Sequence, residues 1–414
     1  MLYNIVMYVM QMIVAFWSLF NEKMRKMWQG ERASFEVLRQ KVDPRAKYVW
    51  FHAASLGEFE QGRPLIEAIR AQYPDYKILL TFFSPSGYEV RKNYEGADIV
   101  TYLPIDTFGN ARRFLRTIRP VMAFFIKYEF WYNYLHILRH RNVPVYSVSS
   151  IFRPDQVFFK WYGKGYGRVL RCFTHYFVQN EESKRLLATI GIDTVDVVGD
   201  TRFDRVLQVR KAAKVLPKVE AFVVGKSENA ERRPVFVAGS SWQPDEEIFL
   251  RYFSAHDDWK IIIAPHVIDA VHLEQIAHLA GNKKVVRYSE VTPNEAAQAD
   301  VLIIDCFGLL SSVYHYGNIA YVGGGFGVGI HNVLEAAVWG IPVIFGPNNK
   351  NFDEAQGLLK VGGGFEIKNF EDFSDLMKRL QSNNALLTTS ASAAEKFVEN
   401  LAGATDKILS KVRL

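Results

Sequence analysis

Between residues 319 and 345 the chain reads IAYVGGGFGVGIHNVLEAAVWGIPVIF, and this stretch limits the possible folds more than any other. An apolar strand over 319–322 runs into a loop with glycines at 323, 324, 325, 327 and 329, then a helix expected from about Asn332 and a second apolar strand over 342–345. Five glycines in seven positions exceed what a turn between packed elements requires. Glycine lets a backbone approach a ligand closely, and a helix starting at Asn332 would offer free N–H groups and the positive end of its dipole to an anion. Glu335, on the same helical face as His331 and Asn332, would repel a phosphate and so suits ribose hydroxyls instead. The stretch is expected to cradle a nucleotide or nucleotide-sugar. There is no G-x-x-x-x-G-K-S/T, and the glycines come late, which argues against a P-loop or a simple dinucleotide fold.

The pattern around it is α/β. Apolar strand candidates at 47–54, 78–82, 99–103, 121–126, 143–148 and 176–178 alternate with helical patterns, and a second series follows at 235–238, 260–264, 284–287, 301–304, 319–322 and 343–345. Such alternation predicts two parallel, doubly wound sheets, whose strand C-terminal ends carry the ligand loops and would form the walls of one cleft. The expected boundaries are an anchor helix with a basic flank over 1–30, a first Rossmann-like domain over 31–214, a polar linker over 215–233, a second Rossmann-like domain over 234–390 and a closing helix over 391–414.

Residues 1–20 carry no charged side chain and are followed by Lys23, Arg25 and Lys26. Asn4, Gln11 and Ser18, spaced by seven, put one polar stripe along a helix. Without a small-x-small cleavage site the segment is not expected to be a cleaved signal peptide, and the basic flank predicts a cytoplasmic body. The helix either spans a bilayer or lies half-embedded through Trp17, Phe20 and Trp28.

Charge divides the chain. Residues 1–220 hold 33 Lys and Arg against 21 Asp and Glu, whereas the remainder holds 17 against 23. A basic half should face something anionic, and after an apolar N-terminus an anionic membrane surface or acidic lipid fits better than nucleic acid. The segment 153–171, where Arg153, Lys160, Lys164, Arg168 and Arg171 mix with aromatic residues, suits an anionic amphiphile. Cys172 and Cys306 read as core thiols, with neither disulfide nor metal spacing.

Candidate chemistry sits at the strand ends. In HAASLGEFEQG, Gly57 is expected to permit a tight turn and Glu58 to start a helix, either as a general base or merely as a complement to the helix dipole worth about 0.3–1 kcal/mol. Ser84 and Ser86 in SPSG, and Glu129 beside Trp131 in KYEFWYN, are candidates for polar ligand contacts or for ordinary turns and helix starts. In the second series the loop mouths are GSSWQPDEE with Ser240, APH with His266, and DCFG with Gly308; a lone histidine such as His266 is more often structural than catalytic. No D-x-D and no His/Cys cluster at ligand spacing occurs, so no metal and no cofactor is expected.

Taken in order, the apolar N-terminus, HAASLGEFEQG, TFFSPSG, EFWYN, QNEES, GDTRFD, GSSWQPDEE, DCFG and GIHNVLEAAVWGIPVIFGP resemble the lipid A Kdo transferases, 3-deoxy-D-manno-octulosonic acid transferases of GT-B architecture. The resemblance implies transfer of Kdo from CMP-Kdo to a lipid A precursor at the cytoplasmic face of the inner membrane, with acceptor binding in the first domain and CMP-sugar binding in the second. It makes Glu58 the general base, and the first-domain candidates Ser84, Ser86, Glu129 and Arg153 are expected at the acceptor. His331, Asn332 and Glu335 fall to the CMP moiety, with Ser240, His266, Gly308 and Gly325 around the donor. The chain departs from the family pattern at Lys127 and Tyr132, where M-E-T-E-L-W-P-N is usual, and at His266 and Val267, where P-R-H-P is usual. The expected reaction is an inverting, metal-independent displacement. The alternatives are a UDP-sugar enzyme of the same architecture, such as a lipid disaccharide synthase or an epimerase, and a non-catalytic protein that binds lipid at a membrane surface.

Overall fold

A computed structural model describes residues 2–225, 232–327 and 329–412. The chain forms two compact units: described residues up to Arg205, joined by those from Ala402 onward, and Val206–Leu401.

The first unit is built on a parallel seven-stranded sheet. Its strands are β1 (Lys47–Ala53), β2 (Tyr76–Phe82), β3 (Ile99–Tyr102), β4 (Met122–Ile126), β5 (Val145–Ser150), β6 (His175–Val178) and β7 (Val195–Val197), in the spatial order β3-β2-β1-β4-β5-β6-β7. Alternate residues of β1 enter different cores: Tyr48 and Trp50 pack on one face, Val49, Phe51 and Ala53 on the other. That is why apolar residues fill both faces of the strand from Tyr48 to Phe51 rather than alternating with polar ones, as a sheet covered on both faces demands.

The second unit repeats the plan with β8 (Val235–Ser241), β9 (Lys260–Pro265), β10 (Val285–Arg287), β11 (Val301–Ile303), β12 (Ile319–Val322), β13 (Val343–Phe345) and β14 (Gly364–Glu366), ordered β10-β11-β9-β8-β12-β13-β14. In each sheet the strand order reverses beside the first strand, between β1 and β4 and between β8 and β12, and loops leaving those strands flank the crevice where doubly wound folds bind ligands. β7 and β14 are absent from the strands expected above. Each has three residues at a sheet edge, too short for a periodic signal.

The interval expected to be a linker instead holds a helix, Pro217–Val224, which buries Val219 and Phe222 and belongs to the second unit; residues 226–231 lie outside the described residues. At the other end the chain forms Asn384–Leu401, breaks at Gly403 with φ of 98°, and returns to the first unit as Ala404–Lys411, where Asp204 accepts hydrogen bonds from the Gly403 and Thr405 N–H groups.

Helix α1 (Leu2–Trp17) packs on α2 (Glu22–Lys41) and on the loop after β3. Met7 and Val14 are buried with Met27 and Ile105, and the polar stripe lies on the same inward face, where Asn4 accepts a hydrogen bond from the Asn133 amide and Ser18 is buried. The opposite face exposes Ile5, Val9, Met12, Ile13, Phe16 and Trp17, and Leu19 and Phe20 follow it into solvent. No helix among the described residues is long and apolar enough to cross a membrane. Trp28, expected with Trp17 and Phe20 at a bilayer surface, instead packs against the cluster under α1.

Candidate active site

Glu58 is the third residue of α3 (Leu56–Gln72), the helix that leaves β1 at the first reversal point. Its carboxylate folds back on the preceding turn and accepts the Ala54 N–H at 2.5 Å, with the Ser55 N–H also bonded to it. The group therefore satisfies helix N–H donors that would otherwise be orphaned. Burial nonetheless raises its pKa to about 7, helped by the negative charge of Glu129 and opposed by the Ala54 N–H and by Lys127. A carboxyl poised there can take a proton at neutral pH. Gly57, expected to make a tight turn, sits within the first turn of α3 without a left-handed φ, and a side chain there would meet no protein atom. Gly57, next to Glu58 in the chain, thus borders open space.

Glu129 leaves β4, the strand on the other side of the reversal. Its Oε2 lies 3.1 Å from His52 Nε2 and accepts the Trp131 indole N–H at 2.6 Å, while His52 Nδ1 bonds to Thr81 Oγ1 at 2.9 Å. His52 is fully buried, so Glu129 is held from behind by groups already in place. Lys127, with φ of 60°, turns the chain out of β4 ahead of it. Ser84 caps the short helix Pro85–Arg91, accepting from the Ser86 N–H, and its own N–H bonds to the Ala54 carbonyl at 2.7 Å; it stands next to the Glu58 turn, with Ser86 exposed beyond it. Arg153 is exposed in the loop after β5, one strand further from the reversal.

In the second unit the glycine loop is stitched into place by Asp245, a buried carboxylate that accepts the Trp242 N–H at 2.9 Å, the Gly324 N–H at 2.9 Å and the Tyr321 hydroxyl at 2.7 Å. A Cβ at Gly323 would strike the Ser240 carbonyl, one at Gly324 the Gly329 carbonyl, and one at Gly325 the backbone of Gly346. These three glycines let the protein backbone approach itself rather than a ligand. Gly327 alone of the five has open space beside it without a left-handed φ, and Val328 lies outside the described residues. The helix expected from Asn332 is confined to Leu334–Ala337, a single turn between small buried residues, with Asn332 bonding ahead of it to the Leu334 N–H. Four residues align few peptide dipoles, so the helix end is a weaker anion site than expected.

Around that loop the structure gathers Trp242, His266 and His331. The His266 ring stacks between the other two, with centroids 4.7 Å from Trp242 and 4.4 Å from His331. The Trp242 indole N–H donates to His331 Nε2 at 3.2 Å, which leaves the ring proton on Nδ1. Burial lowers the pKa of both histidines, that of His331 to about 4 with the His266 ring adding to the effect. Both rings are neutral at pH 7. Glu335 accepts from Asn332 Nδ2 at 3.1 Å and from the Ser311 hydroxyl at 2.8 Å. Ser240, with φ of 53°, ends β8 beside the loop, and Gly308, with φ of 84°, is exposed with open space beside it in the turn leading to Ser311. Cys172 is buried as expected of a core thiol, whereas Cys306 in that same turn is half-buried.

Reading the sequence missed His52, Trp242, Asp245 and Ser311. Asp245 had a local signal, since an acidic residue three positions into a helix that opens with proline is a common capping arrangement; the others meet their partners only across strands.

A family profile described as 3-Deoxy-D-manno-octulosonic-acid transferase (kdotransferase) matches residues 28–205. The 3-deoxy-D-manno-octulosonic acid transferase of Aquifex aeolicus is 30% identical over 332 residues, spanning 78% of this chain and 82% of the relative. The chain belongs to the Kdo transferases. The enzyme of the same description from Rickettsia felis is 29% identical over 378 residues, 88% of this chain and 78% of that one. Among solved structures, the UDP-GlcNAc 2-epimerase of Neisseria meningitidis superposes with a TM-score of 0.62 at 14% identity over 88% of this chain and 98% of its own. MurG of Acinetobacter baumannii gives 0.55 at 13% over 88% and 98%. These likenesses establish the GT-B fold for this Kdo transferase, and with the family they make it a glycosyltransferase.

Proposed function

We propose that this Kdo transferase moves Kdo from CMP-Kdo to a lipid A precursor of the lipid IVA type, with inversion and without a metal. The observation that carries the reading is Glu58: a carboxyl at the reversal point of the first sheet, next in the chain to a glycine that borders open space, with its pKa raised to about 7. In the reaction it takes the proton of the acceptor hydroxyl as that oxygen attacks the anomeric carbon and CMP departs. Glu129, braced by His52 and Trp131, and Ser84 and Ser86 contact acceptor hydroxyls, while Arg153 meets the acceptor's phosphate.

The donor falls to the second unit. The neutral His266 and His331 rings and Trp242 offer a stacking surface for a base and, at His331 Nδ1, a hydrogen-bond donor without a charge. Glu335, which already accepts from a hydroxyl and an amide, receives ribose hydroxyls with Asn332 at its side. Ser240, Gly308 and Gly325 border the donor. Because the helix at Leu334 is a single turn, charge on the leaving phosphate is met by individual loop N–H groups rather than by a long dipole.

α1 lies in the membrane interface with its exposed apolar face embedded and its polar stripe against the protein, which keeps the body at the cytoplasmic face of the inner membrane.

The deciding experiment supplies detergent-solubilised protein with CMP-Kdo and a tetraacyl lipid A precursor and follows CMP release and product mass, beside Glu58→Gln. Product from the wild type and none from a folded, CMP-binding variant is the expected result. A variant with unimpaired turnover sinks the role of Glu58, and stabilisation of the wild type by UDP but not CMP sinks the donor.

A further inference from the structure

β1 lies between β2 and β4, and its register sets His52 opposite Thr81 of β2 on one side and Phe125 of β4 on the other, just before the turn that carries Glu129. Trp50, two residues earlier on β1, lies on the same face of the sheet. His52, Thr81 and Trp50 have no exposure to solvent, so each of their polar hydrogens has to find an acceptor within the protein.

Following those hydrogens gives the network a direction. The Trp50 indole can only donate, and it does so to Thr81 Oγ1 at 2.8 Å. The Thr81 hydroxyl keeps its own hydrogen to give, and His52 Nδ1 at 2.9 Å is nearer than the Phe51 carbonyl at 3.3 Å. A neutral ring that accepts at Nδ1 carries its hydrogen on Nε2, which lies 3.1 Å from Glu129 Oε2. A doubly protonated ring, with its Nδ1 hydrogen given to the Thr81 carbonyl at 3.2 Å, has a hydrogen on Nε2 as well. The Trp131 indole stands 3.1 Å from Nε2 but 2.6 Å from Glu129 Oε2, and its single hydrogen goes to the carboxylate. Glu129 Oε2 thus receives two N–H donors, one of them fixed from behind by Thr81 and Trp50.

Hydrogen bonds to a carboxylate favour its charged form against the cost of burial. That charge acts on its neighbour. Burial is the main reason the Glu58 pKa stands at about 7, and the negative charge of Glu129 is the next; Lys127, on the Glu129 turn, works in the opposite sense. Tyr166, from the helix Lys164–Gly167, also feels Glu129 and has its own pKa raised, by burial first.

We infer that His52 is a positioning residue for the transfer reaction: its Nε2–H holds Glu129 in place and ionised, and Glu129 in turn tunes the base Glu58. The inference rests on the reading of Glu58 as the base, and no proton of the reaction passes through the imidazole. Without the Nε2 donor, Glu129 takes up a proton more readily, its charge is missing while Glu58 titrates, and Glu58 gives up its proton at lower pH. The acid limb of kcat/KM then moves down, whereas a weakened fold lowers activity and leaves the midpoint where it was.

The test compares kcat/KM between about pH 5 and about pH 8.5 for the full chain and its variants. Glutamine places an amide N–H near the position of Nε2, so His52→Gln should keep the wild-type midpoint near pH 7. Asparagine is too short to reach Glu129, and His52→Asn should lower the midpoint by about one pH unit. In Glu129→Gln, which starts from the lower midpoint, adding His52→Asn should shift it no further. An unmoved limb in folded His52→Asn overturns the positioning role and leaves the base reading standing, and so does a further shift in the Glu129→Gln background. A flat profile in the wild type overturns both. Nitrogen-15 shifts of the wild-type histidines, with His52 assigned by its loss in His52→Gln, check the role without relying on turnover or on the folding of His52→Asn: a protonated Nε2 is expected, and a bare Nε2 overturns it.

Discussion

The reversal points of the two sheets share one topology and hold different chemistry. After β1 and β4 the first unit presents two carboxylates, Glu58 and Glu129, backed by an imidazole and an indole. After β8 and β12 the second presents neutral rings and a close-packed glycine loop, with one of its carboxylates, Asp245, consumed by three internal donors. The sheet fixes where ligand loops stand, and the loops decide what chemistry that place presents. Burial raises the pKa of Glu58 and of Asp245 alike. They differ in what surrounds them: Asp245 is enclosed by its donors, while Gly57, next to Glu58 in the chain, borders open space.

Several substitutions break or sharpen this contrast. Glu58→Gln should lower transfer by about 10²–10⁴-fold, the usual contribution of a positioned general base, with CMP binding retained, as checked by product formation and titration calorimetry. Asp245→Ala should act on folding instead, lowering the stability of the second unit by about 3 kcal/mol as buried donors lose their acceptor, and abolishing CMP binding with it; thermal melting with and without CMP reads both.

The acid limb of the pH profile separates the two sites more finely. A base works only when deprotonated, so with a pKa held up to about 7, kcat/KM should climb as pH rises from 5, reach about half its plateau near pH 7 and level off above about pH 8. His331, held down to about 4, contributes no inflection in that range. A flat profile between pH 5.5 and 8 would remove Glu58 from the base role.

Trp242→Phe deletes the N–H that fixes the His331 tautomer and should weaken CMP binding by about two- to tenfold while leaving the pH profile unchanged. The smallest change is Gly57→Ala: alanine in a helix turn with free space around it should stabilise the fold by about 0.5–1 kcal/mol, yet if the acceptor enters beside Glu58 as proposed, the added methyl group should raise KM for the lipid.

Much of this site was legible in the sequence because it lies in contiguous strand-loop-helix segments. Strand-end position alone placed Glu58, Glu129, Ser240 and the glycine loop beside the reversal points. The purpose of the glycines was not legible, since residues 323–325 admit either a ligand or another backbone at close range, and only the positions of Ser240, Gly329 and Gly346 show that it is backbone. Nor was the length of the helix after Asn332, which good helix-forming residues favour but the following loop ends within one turn. The polar stripe of α1 was found, while the side of the helix it would occupy depended on Asn133, more than a hundred residues away.

Sequence by itself determined the two doubly wound sheets, the loops that carry chemistry and the apolar, amphipathic start of the chain, because hydrophobic periodicity and turn residues act locally. Tertiary structure alone decided the raised pKa of Glu58, the neutral histidine stack and the bracing of Glu129. Each of these depends on desolvation and on donors brought from distant strands, and neither is encoded in a residue's neighbours along the chain.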